Sequence, residues 1–266
     1  MLQNPAPKLS RSGFECSGRP ENRYITRKGV FEVIYCFKVI IGQRNRVVVN
    51  SVITADLVES TRRSMSQKRL AVELTSIFSD LADFIEPGGV LLPFTLFRGD
   101  SFQGVLAGVE NTLLAALYLR CSIRRQLQLD VRQALGLGRT DELVSDSTLQ
   151  STGEAFVCSG RLLDDMTKHR KQFRRIAVAS SSEQFDAEFN THFELLEAIV
   201  EDWTDRESEA VFLKLHKWTQ TEIAEYLNIN QSAVHKRLKA AKWTAVVELL
   251  NRWGEASVRM MQVDQS

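Results

Sequence analysis

Two aspartates stand where apolar segments give way to polar residues, a position where carboxylates often bind metal. Asp56 ends the apolar segment VITAD, and Asp100 follows Gly99 in the segment FRGDSF. Two carboxylates a few ångströms apart repel each other, and a divalent cation relieves that repulsion. Mg²⁺ or Mn²⁺ suits such oxygen ligands, and the phosphates of a nucleotide would complete the coordination. If the fold brings both residues together, the sequence predicts a metal and nucleotide site.

A purely structural role is compatible with the same two aspartates. Asp56, together with Ser60 and Thr61, has the kind of side chain that caps the start of a helix. Asp100 follows a glycine, and a Gly-Asp pair is common in tight turns. The residues themselves leave both interpretations open.

A second group of candidate residues lies near the C-terminus, where three helix starts follow one another. Thr204 and Thr219 are each followed three residues later by a glutamate, which is the pattern of a capping box. Asn228 takes the turn position between two helices, because asparagine tolerates the left-handed backbone conformation. Asn230 then caps the third helix. The pattern predicts a helix-turn-helix over residues 204–253.

The third of these helices has the composition of a DNA recognition helix. Four cations and no acid lie between Tyr226 and Val247. Short polar side chains at the helix start would reach base edges, and the cations would neutralise phosphates. A three-helix bundle can instead bind a protein, so an adaptor function stays open. The predicted DNA-binding residues are Gln231, Ser232, His235, Lys236, Arg237 and Lys239.

The elements that must position these residues alternate between strands and helices. Short apolar or alternating runs predict strands, and apolar residues at steps of three and four predict helices. The order β-α-β-β-α-β, then α and β, predicts an α+β domain with a ferredoxin-like or palm antiparallel sheet and helices on one face. In that fold the first strand lies beside the hairpin, so Asp56 and Asp100 should meet at one sheet edge. The predicted strands are 46–57, 94–97, 102–106, 130–137 and 176–179, and the predicted helices are 66–85, 109–128, 157–166 and 183–203.

Four segments carry a family resemblance: VITADLVEST, FRGDSFQG, DVRQALGLG and GEAFVCSGRLLDDM. Together they resemble the bacterial SatD family over residues 48–250, which implies a domain of this kind in front of a helix-turn-helix. The stretch TQTEIAEYLNINQSAVHKRLKAA resembles the helix-turn-helix of sigma-factor region 4 and related regulators. That second resemblance implies a DNA-binding regulatory protein.

The first four segments are more distantly similar to class III nucleotidyl cyclases. This resemblance implies that Asp56 and Asp100 hold a metal ion, with help from the backbone carbonyl of Leu57. It also implies that Arg161 contacts phosphate in the transition state. The alternative to a DNA-binding regulator is therefore a cyclase-like, metal-dependent enzyme that its C-terminal domain controls.

Two positions depart from the cyclase pattern. Val157 stands where that pattern has an asparagine, and Leu96 stands where it has a base-selecting lysine. Losing one electrostatic stabiliser of the transition state typically reduces the rate by about 10²–10³. The resemblance is thus compatible with a site that binds nucleotide and turns it over slowly.

Composition limits the classes of protein that remain. The formal net charge is +1, so affinity for DNA must come from local clusters of charge. The four cysteines show no CxxC spacing, which argues against a zinc site and a disulfide framework. No apolar run reaches the roughly 18–20 residues of a membrane span, and the N-terminus lacks the layout of a signal peptide. We expect a cytoplasmic bacterial protein without a membrane partner.

The predicted organisation of the chain has five parts. Residues 1–46 hold nine lysines and arginines against three acids, and we expect a basic, disordered extension with one strand at 31–41. The palm-like domain should sense a ligand or pair two chains into a homodimer. A two-fold dimer would read DNA half-sites about 34 Å apart. The other parts are the palm-like domain over 47–182, a linking helix over 183–203, the helix-turn-helix over 204–253 and a tail over 254–266.

Overall fold

The apolar pattern of the chain produces an α+β fold. A computed structural model describes residues 49–58, 66–144, 147–168 and 175–263. The chain divides into two units, Met1–Ile40 and Ile41–Ser266, and every element described below belongs to the second unit. The expected basic extension, with its strand at 31–41, lies outside the described residues.

A five-stranded sheet is the centre of the fold. The described residues contain seven strands, five of which form this sheet: β1 (Val49–Val58), β2 (Val90–Arg98), β3 (Ser101–Leu106), β4 (Asp130–Arg139), β5 (Glu142–Val144), β6 (Ser147–Thr152) and β7 (Ile176–Ala179). The sheet has the order β2-β3-β1-β4-β7, and β5 pairs with β6 in a separate hairpin. β1 runs antiparallel to both β3 and β4, whereas β7 joins β4 in parallel.

Helices pack on both faces of this sheet. The helices of the described residues are α1 (Gln67–Phe84), α2 (Thr112–Leu127), α3 (Glu154–Lys168), α4 (Glu183–Val200), α5 (Asp205–Leu215), α6 (Gln220–Leu227), α7 (Gln231–Ala240) and α8 (Trp243–Val263). Successive residues of a strand point to opposite faces. Ile53 therefore joins the main core with α1, α2 and α4, while Val52 packs with Ala155 of α3. The expectation of helices on one face is wrong, because α3 covers the opposite face.

The approach of α3 to the sheet depends on a glycine in β4. A Cβ atom at Gly136 would collide with the carbonyl oxygen of Ala155 and would lie 2.6 Å from the backbone nitrogen of Ser159. Both are backbone atoms of α3, so neither can move aside without shifting the helix. Glycine at this position therefore sets the distance between α3 and the sheet.

The α+β class and the order β-α-β-β-α-β are confirmed, because each strand and helix expected over residues 46–203 corresponds to an element of the structure. Two further features were not expected. The hairpin of β5 and β6 lies between β4 and α3, and α8 continues to Val263, well beyond residue 253. Most of the expected tail over 254–266 is thus helical. No helix among the described residues has both the length and the apolar character of a membrane span.

Helix α8 returns from the helix-turn-helix to the palm-like domain. The side chain of Trp253 is fully buried, and its indole N–H donates to the carbonyl oxygen of Val109 over 2.9 Å. Phe185, Phe189 and Phe193 of α4 place their rings 5.0–5.6 Å from the Trp253 ring. Residues of the palm-like domain, of α4 and of the helix-turn-helix consequently share one hydrophobic core.

A buried arginine ties the linking helix to the palm-like domain. Arg120 of α2 donates from Nε and Nη2 to the Asp130 carboxylate over 2.8 and 2.9 Å. Its Nη1 and Nη2 donate to the Glu197 carboxylate of α4 over 2.6 and 2.7 Å. Burial alone would raise the pKa of Asp130, but the Arg120 guanidinium holds that pKa below its ordinary value. These three residues, which we call the Arg120 clamp, therefore join α2, β4 and α4 through a buried guanidinium and two carboxylates that are mostly buried.

Candidate metal site and nucleic-acid interface

Asp56 and Asp100 meet at one end of the sheet, as the fold predicts. Asp56 pairs across the strands with Ser101, the residue that directly follows Asp100. The backbone N–H of Leu57 donates to the carbonyl oxygen of Asp100 over 3.1 Å. Gly99 in the intervening turn has a φ of +57°, a conformation that favours glycine. The hairpin turn is thus held against the end of β1.

Asp56 points to the face of the sheet that α3 covers. Thr54, two residues earlier on β1, donates from Oγ1 to Oγ of Ser159 in α3 over 2.8 Å. Residues two apart on a strand share a face. The Asp56 side chain accordingly belongs to the space between the sheet end and the last turns of α3.

The interpretation of Asp56 as a helix cap is wrong. Asp56 lies inside β1, and α1 begins only at Gln67. The cap of α1 is Ser66, whose Oγ accepts from the backbone N–H of Arg69 over 3.3 Å. Ser60 and Thr61, the other two residues of that interpretation, lie outside the described residues. Asp100, in contrast, does occupy the turn between β2 and β3.

Arg132 of β4 completes the site, and the sequence-based reasoning missed it. Its Nη1 donates to the two carboxylate oxygens of Asp56 over 2.8 and 3.2 Å, and to Oγ1 of Thr167 over 3.4 Å. The exposed fraction is 10% for the Arg132 side chain and 21% for Asp56. The two residues are direct cross-strand partners between β1 and β4. The signal that could have revealed it is an arginine near the start of the strand segment DVRQALGLG, which is mostly apolar after its first four residues.

The electrostatics of Asp56 reflect this crowded position. Burial raises the pKa of Asp56 above its ordinary value. The nearby Arg132 guanidinium lowers that pKa, and the Asp100 carboxylate raises it. The ion pair with Arg132 therefore offsets only part of the unfavourable environment of the ionised carboxylate.

The two carboxylates fit a divalent cation of the hard, oxygen-binding type. Mg²⁺ is commonly held by one or two carboxylates together with the phosphates of a nucleotide. Asp56 and Asp100 supply two such carboxylates, near enough for the charge of Asp100 to raise the pKa of Asp56, and a cation would relieve this repulsion. Within the described ranges, no group of three or more His, Cys, Asp and Glu residues is arranged to hold a metal. A cation here would thus take its remaining ligands from a bound molecule or water.

The residues that the cyclase resemblance assigns to α3 do not join the two aspartates. Ser159 and Leu163 are buried against the sheet, whereas Arg161, which lies between them in sequence, is exposed. A residue two positions from a buried one lies on nearly the opposite side of a helix. Val157 is also 48% exposed. Arg161 consequently points away from Asp56 of its own chain. Leu96 lies half-buried in β2.

The local structure of the helix-turn-helix agrees with the sequence pattern. The backbone N–H of Thr219 donates to the Glu222 carboxylate over 2.8 Å, and Thr219 Oγ1 accepts from the Glu222 N–H over 3.2 Å. Asn228 ends α6 with a φ of 52° and a ψ of 49°, the left-handed conformation expected there. Asn230 caps α7 by accepting from the backbone N–H of Ala233 over 2.7 Å. The predicted capping boxes, turn and cap are confirmed.

Helix α7 exposes most of the predicted DNA-binding residues on one side. Val234 and Leu238 anchor the helix in the core. Arg237 differs from the rest, because it is half-buried and forms an ion pair with Glu209 of α5 at 3.5 Å. The exposed face, which we call the α7 face, consists of Gln231, Ser232, His235, Lys236 and Lys239.

Comparisons with known proteins give one family and a set of distant structures. The family model that matches is that of the SatD family, over residues 48–252. No curated protein matches the chain. One structure of a bacterial light-regulated adenylyl cyclase is 17% identical, with a TM-score of 0.34 over 49% of this chain and 75% of that chain. A second such structure is also 17% identical, with a TM-score of 0.32 over 49% of this chain and 43% of that chain.

Proposed function

The chain belongs to the SatD family, and we propose that its palm-like domain binds a divalent cation together with a nucleotide, as a cyclase-like metal-dependent enzyme. The observation that carries this proposal is the meeting of Asp56 and Asp100 at one sheet end. The two carboxylates would hold Mg²⁺ or Mn²⁺, and the peptide carbonyl of Leu57 would assist. When bound, the cation would polarise a phosphoryl oxygen and neutralise its charge.

The position of Arg161 favours two chains for the complete site. Because Arg161 is exposed on the side of α3 that points away from the sheet, a phosphate-contacting role for it would require the site of another chain. We therefore include a homodimer in the proposal. Val157, in place of an asparagine, removes one hydrogen-bond donor from that same helix, so slow turnover is expected.

Product formation by the full chain tests this function. The chain would be incubated with nucleoside triphosphates and Mg²⁺ or Mn²⁺, and new products would be identified by mass spectrometry. Asp56→Asn and Asp100→Asn should abolish the product, whereas Asp202→Asn, at an exposed position outside the site, should not. Binding of triphosphate without a product would reduce the proposal to a nucleotide sensor. Absence of both binding and product would reject it.

We also propose that the helix-turn-helix binds DNA through the α7 face. Support comes from the cations and short polar side chains that this face exposes at the start and middle of α7. Lys236 and Lys239 would contact phosphates, and Gln231, Ser232 and His235 would contact base edges. Arg237 stays a weaker candidate, because its ion pair with Glu209 directs it towards α5.

The salt dependence of DNA binding tests this second function. Each phosphate contact contributes about −0.9 to the slope of log K against log salt on duplex DNA. Lys236→Glu combined with Lys239→Glu should make that slope less negative by the contribution of about two phosphate contacts. The same variant should be retained more weakly in a gel-shift assay. Lys68→Glu combined with Arg69→Glu, which makes the same charge change on α1, is the control. Unchanged retention by the α7 variant would favour a protein-binding adaptor instead.

A further inference from the structure

The ion pair at Asp56 places a condition on any cation that binds there. Arg132 holds both carboxylate oxygens of Asp56, at 2.8 and 3.2 Å, and nine-tenths of its side chain is buried. A divalent cation at Asp56 would compete with this guanidinium for the same oxygens. Breaking a buried ion pair is strongly unfavourable when one charge is left without a counter-ion.

Within the described part of the chain, Arg132 has few groups that could replace Asp56. Its other hydrogen bond is to the neutral hydroxyl of Thr167 at 3.4 Å. The Asp100 carboxylate, whose charge acts on Asp56, would hold the same cation and so could not take the place of Asp56. The next carboxylate along β4, Asp130, is already engaged by both Nε and Nη2 of Arg120. It also lies 3.7 Å from Arg175. An arginine released from Asp56 would thus need an anion that arrives from outside.

We propose that Arg132 makes the cation and the phosphate bind together: it leaves Asp56 when the cation arrives and takes a phosphate oxygen of the same ligand. This inference rests on the proposed metal and nucleotide function, and it adds that the cation and the phosphate must bind together. A bare cation would bind weakly, because it would strand the buried guanidinium. A cation–polyphosphate complex would bind well, because it supplies one charge to each partner of the former ion pair. Guanidinium groups suit this role, since their planar donors match phosphate oxygens.

Equilibrium dialysis of the full chain tests the proposal, with Mn²⁺ alone and with a preformed complex of Mn²⁺ and inorganic triphosphate as probes. The wild-type chain should bind the complex at least about tenfold more tightly than it binds Mn²⁺ alone. Arg132→Gln should bind bare Mn²⁺ at least about tenfold more tightly than wild type and should lose the preference for the complex. Arg132→Lys should keep that preference in part. Arg139→Gln, which removes a charge from the exposed end of the same strand, should behave as wild type.

The outcomes separate the inference from the function on which it rests. If the wild-type chain binds bare Mn²⁺ as tightly as the complex, the role of Arg132 is refuted without any variant, while the metal site stands. The role of Arg132 is equally refuted if Arg132→Gln and Arg132→Lys, both folded by circular dichroism, keep the wild-type ratio of affinities. If the wild-type chain binds neither probe, the proposed metal and nucleotide function fails, and the inference fails with it.

Discussion

Replacing Arg120 with methionine would test how strongly the linking helix is held to the palm-like domain. The change keeps an unbranched apolar stem in α2 but removes the guanidinium that joins Asp130 to Glu197. Arg120 is only 1% exposed, while Asp130 and Glu197 are 28% and 12% exposed. The two carboxylates would be left facing each other, with Glu197 largely buried and Asp130 partly exposed. Removing one partner of a buried ion pair typically costs about 3–5 kcal/mol.

The structure places the expected loss for Arg120→Met near the lower end of that range, at about 3 kcal/mol. Four charge-assisted hydrogen bonds are lost, but Asp130 keeps its contact with Arg175, and its partial exposure lets water solvate it. A loss of this size is a large fraction of the 5–15 kcal/mol that stabilises an ordinary domain.

Urea denaturation, followed by far-UV circular dichroism and by tryptophan fluorescence, measures the change in the free energy of unfolding. Arg259→Met is the matched control, because the Arg259–Glu255 pair is exposed on both sides, at 67% and 59%. That variant should change the free energy of unfolding by less than about 0.5 kcal/mol. A loss below about 1 kcal/mol for Arg120→Met would refute the argument that the clamp is a buried, strongly coupled ion pair.

The pH dependence of the same comparison carries its own sign. Arg120 holds the pKa of Asp130 below its ordinary value in the folded chain. This contribution to stability is complete above the ordinary aspartate pKa of about 3.9 and is lost as the pH falls through the lower folded-state value. The difference in stability between wild type and Arg120→Met should therefore narrow below about pH 4. A difference that stays constant there would contradict the assignment of the effect to this ion pair.

Three further changes test the packing. Gly136→Ala should lower the free energy of unfolding by about 1–3 kcal/mol or more, because the new Cβ would collide with the backbone of Ala155. The control Gly160→Ala, where the Cβ would meet open space, should be neutral or stabilising by up to about 1 kcal/mol. Equal melting temperatures for the two variants would contradict this argument. Burial lowers the pKa of His216 to about 4, so this side chain takes up a proton more readily in the unfolded chain than in the folded one. The free energy of unfolding should therefore fall by about 1–2 kcal/mol between pH 7 and pH 5. In urea titrations, His216→Phe should remove most of this pH dependence. Trp253→Phe should lower the free energy of unfolding by about 0.5–1.5 kcal/mol, because the Val109 carbonyl loses its indole donor but keeps the Thr112 hydroxyl, which donates to it over 2.8 Å. An unchanged urea midpoint would argue against the indole hydrogen bond.

The meeting of Asp56 and Asp100 was predictable because it depends on local signals and on a common topology. The apolar run before Asp56 and the Gly-Asp turn identify a strand end and a hairpin, and the β-α-β-β-α-β order puts them side by side. Arg132 was not predictable in the same way. Its contact with Asp56 depends on the register between β1 and β4, over 76 residues of chain. No local pattern in the sequence specifies that register.

The helix-turn-helix shows the same division between local and long-range information. The caps at Thr219 and Asn230 and the turn at Asn228 follow from side chains that bond to their own backbone neighbourhood, so the sequence pattern was sufficient. The burial of Trp253 depends instead on α4 and on the loop before α2, which lie far away in sequence. The short β5–β6 hairpin was missed because a three-residue strand carries too little alternation to be distinguished from a loop.

The shared core limits how the two proposed activities could influence each other. A tethered DNA-binding domain could be released by a ligand, but here α8 and α4 bury Trp253 in the same core as the sheet. A ligand at Asp56 can change DNA affinity only to the extent that it binds two packed arrangements of this core with different affinities. One chain of contacts from Asp56 towards the helix-turn-helix runs along β4. There Arg132 contacts Asp56, and Asp130, two residues earlier, contacts the Arg120 clamp to α4. If coupling exists, removing the Arg120 clamp should therefore weaken it without changing the residues that contact either ligand.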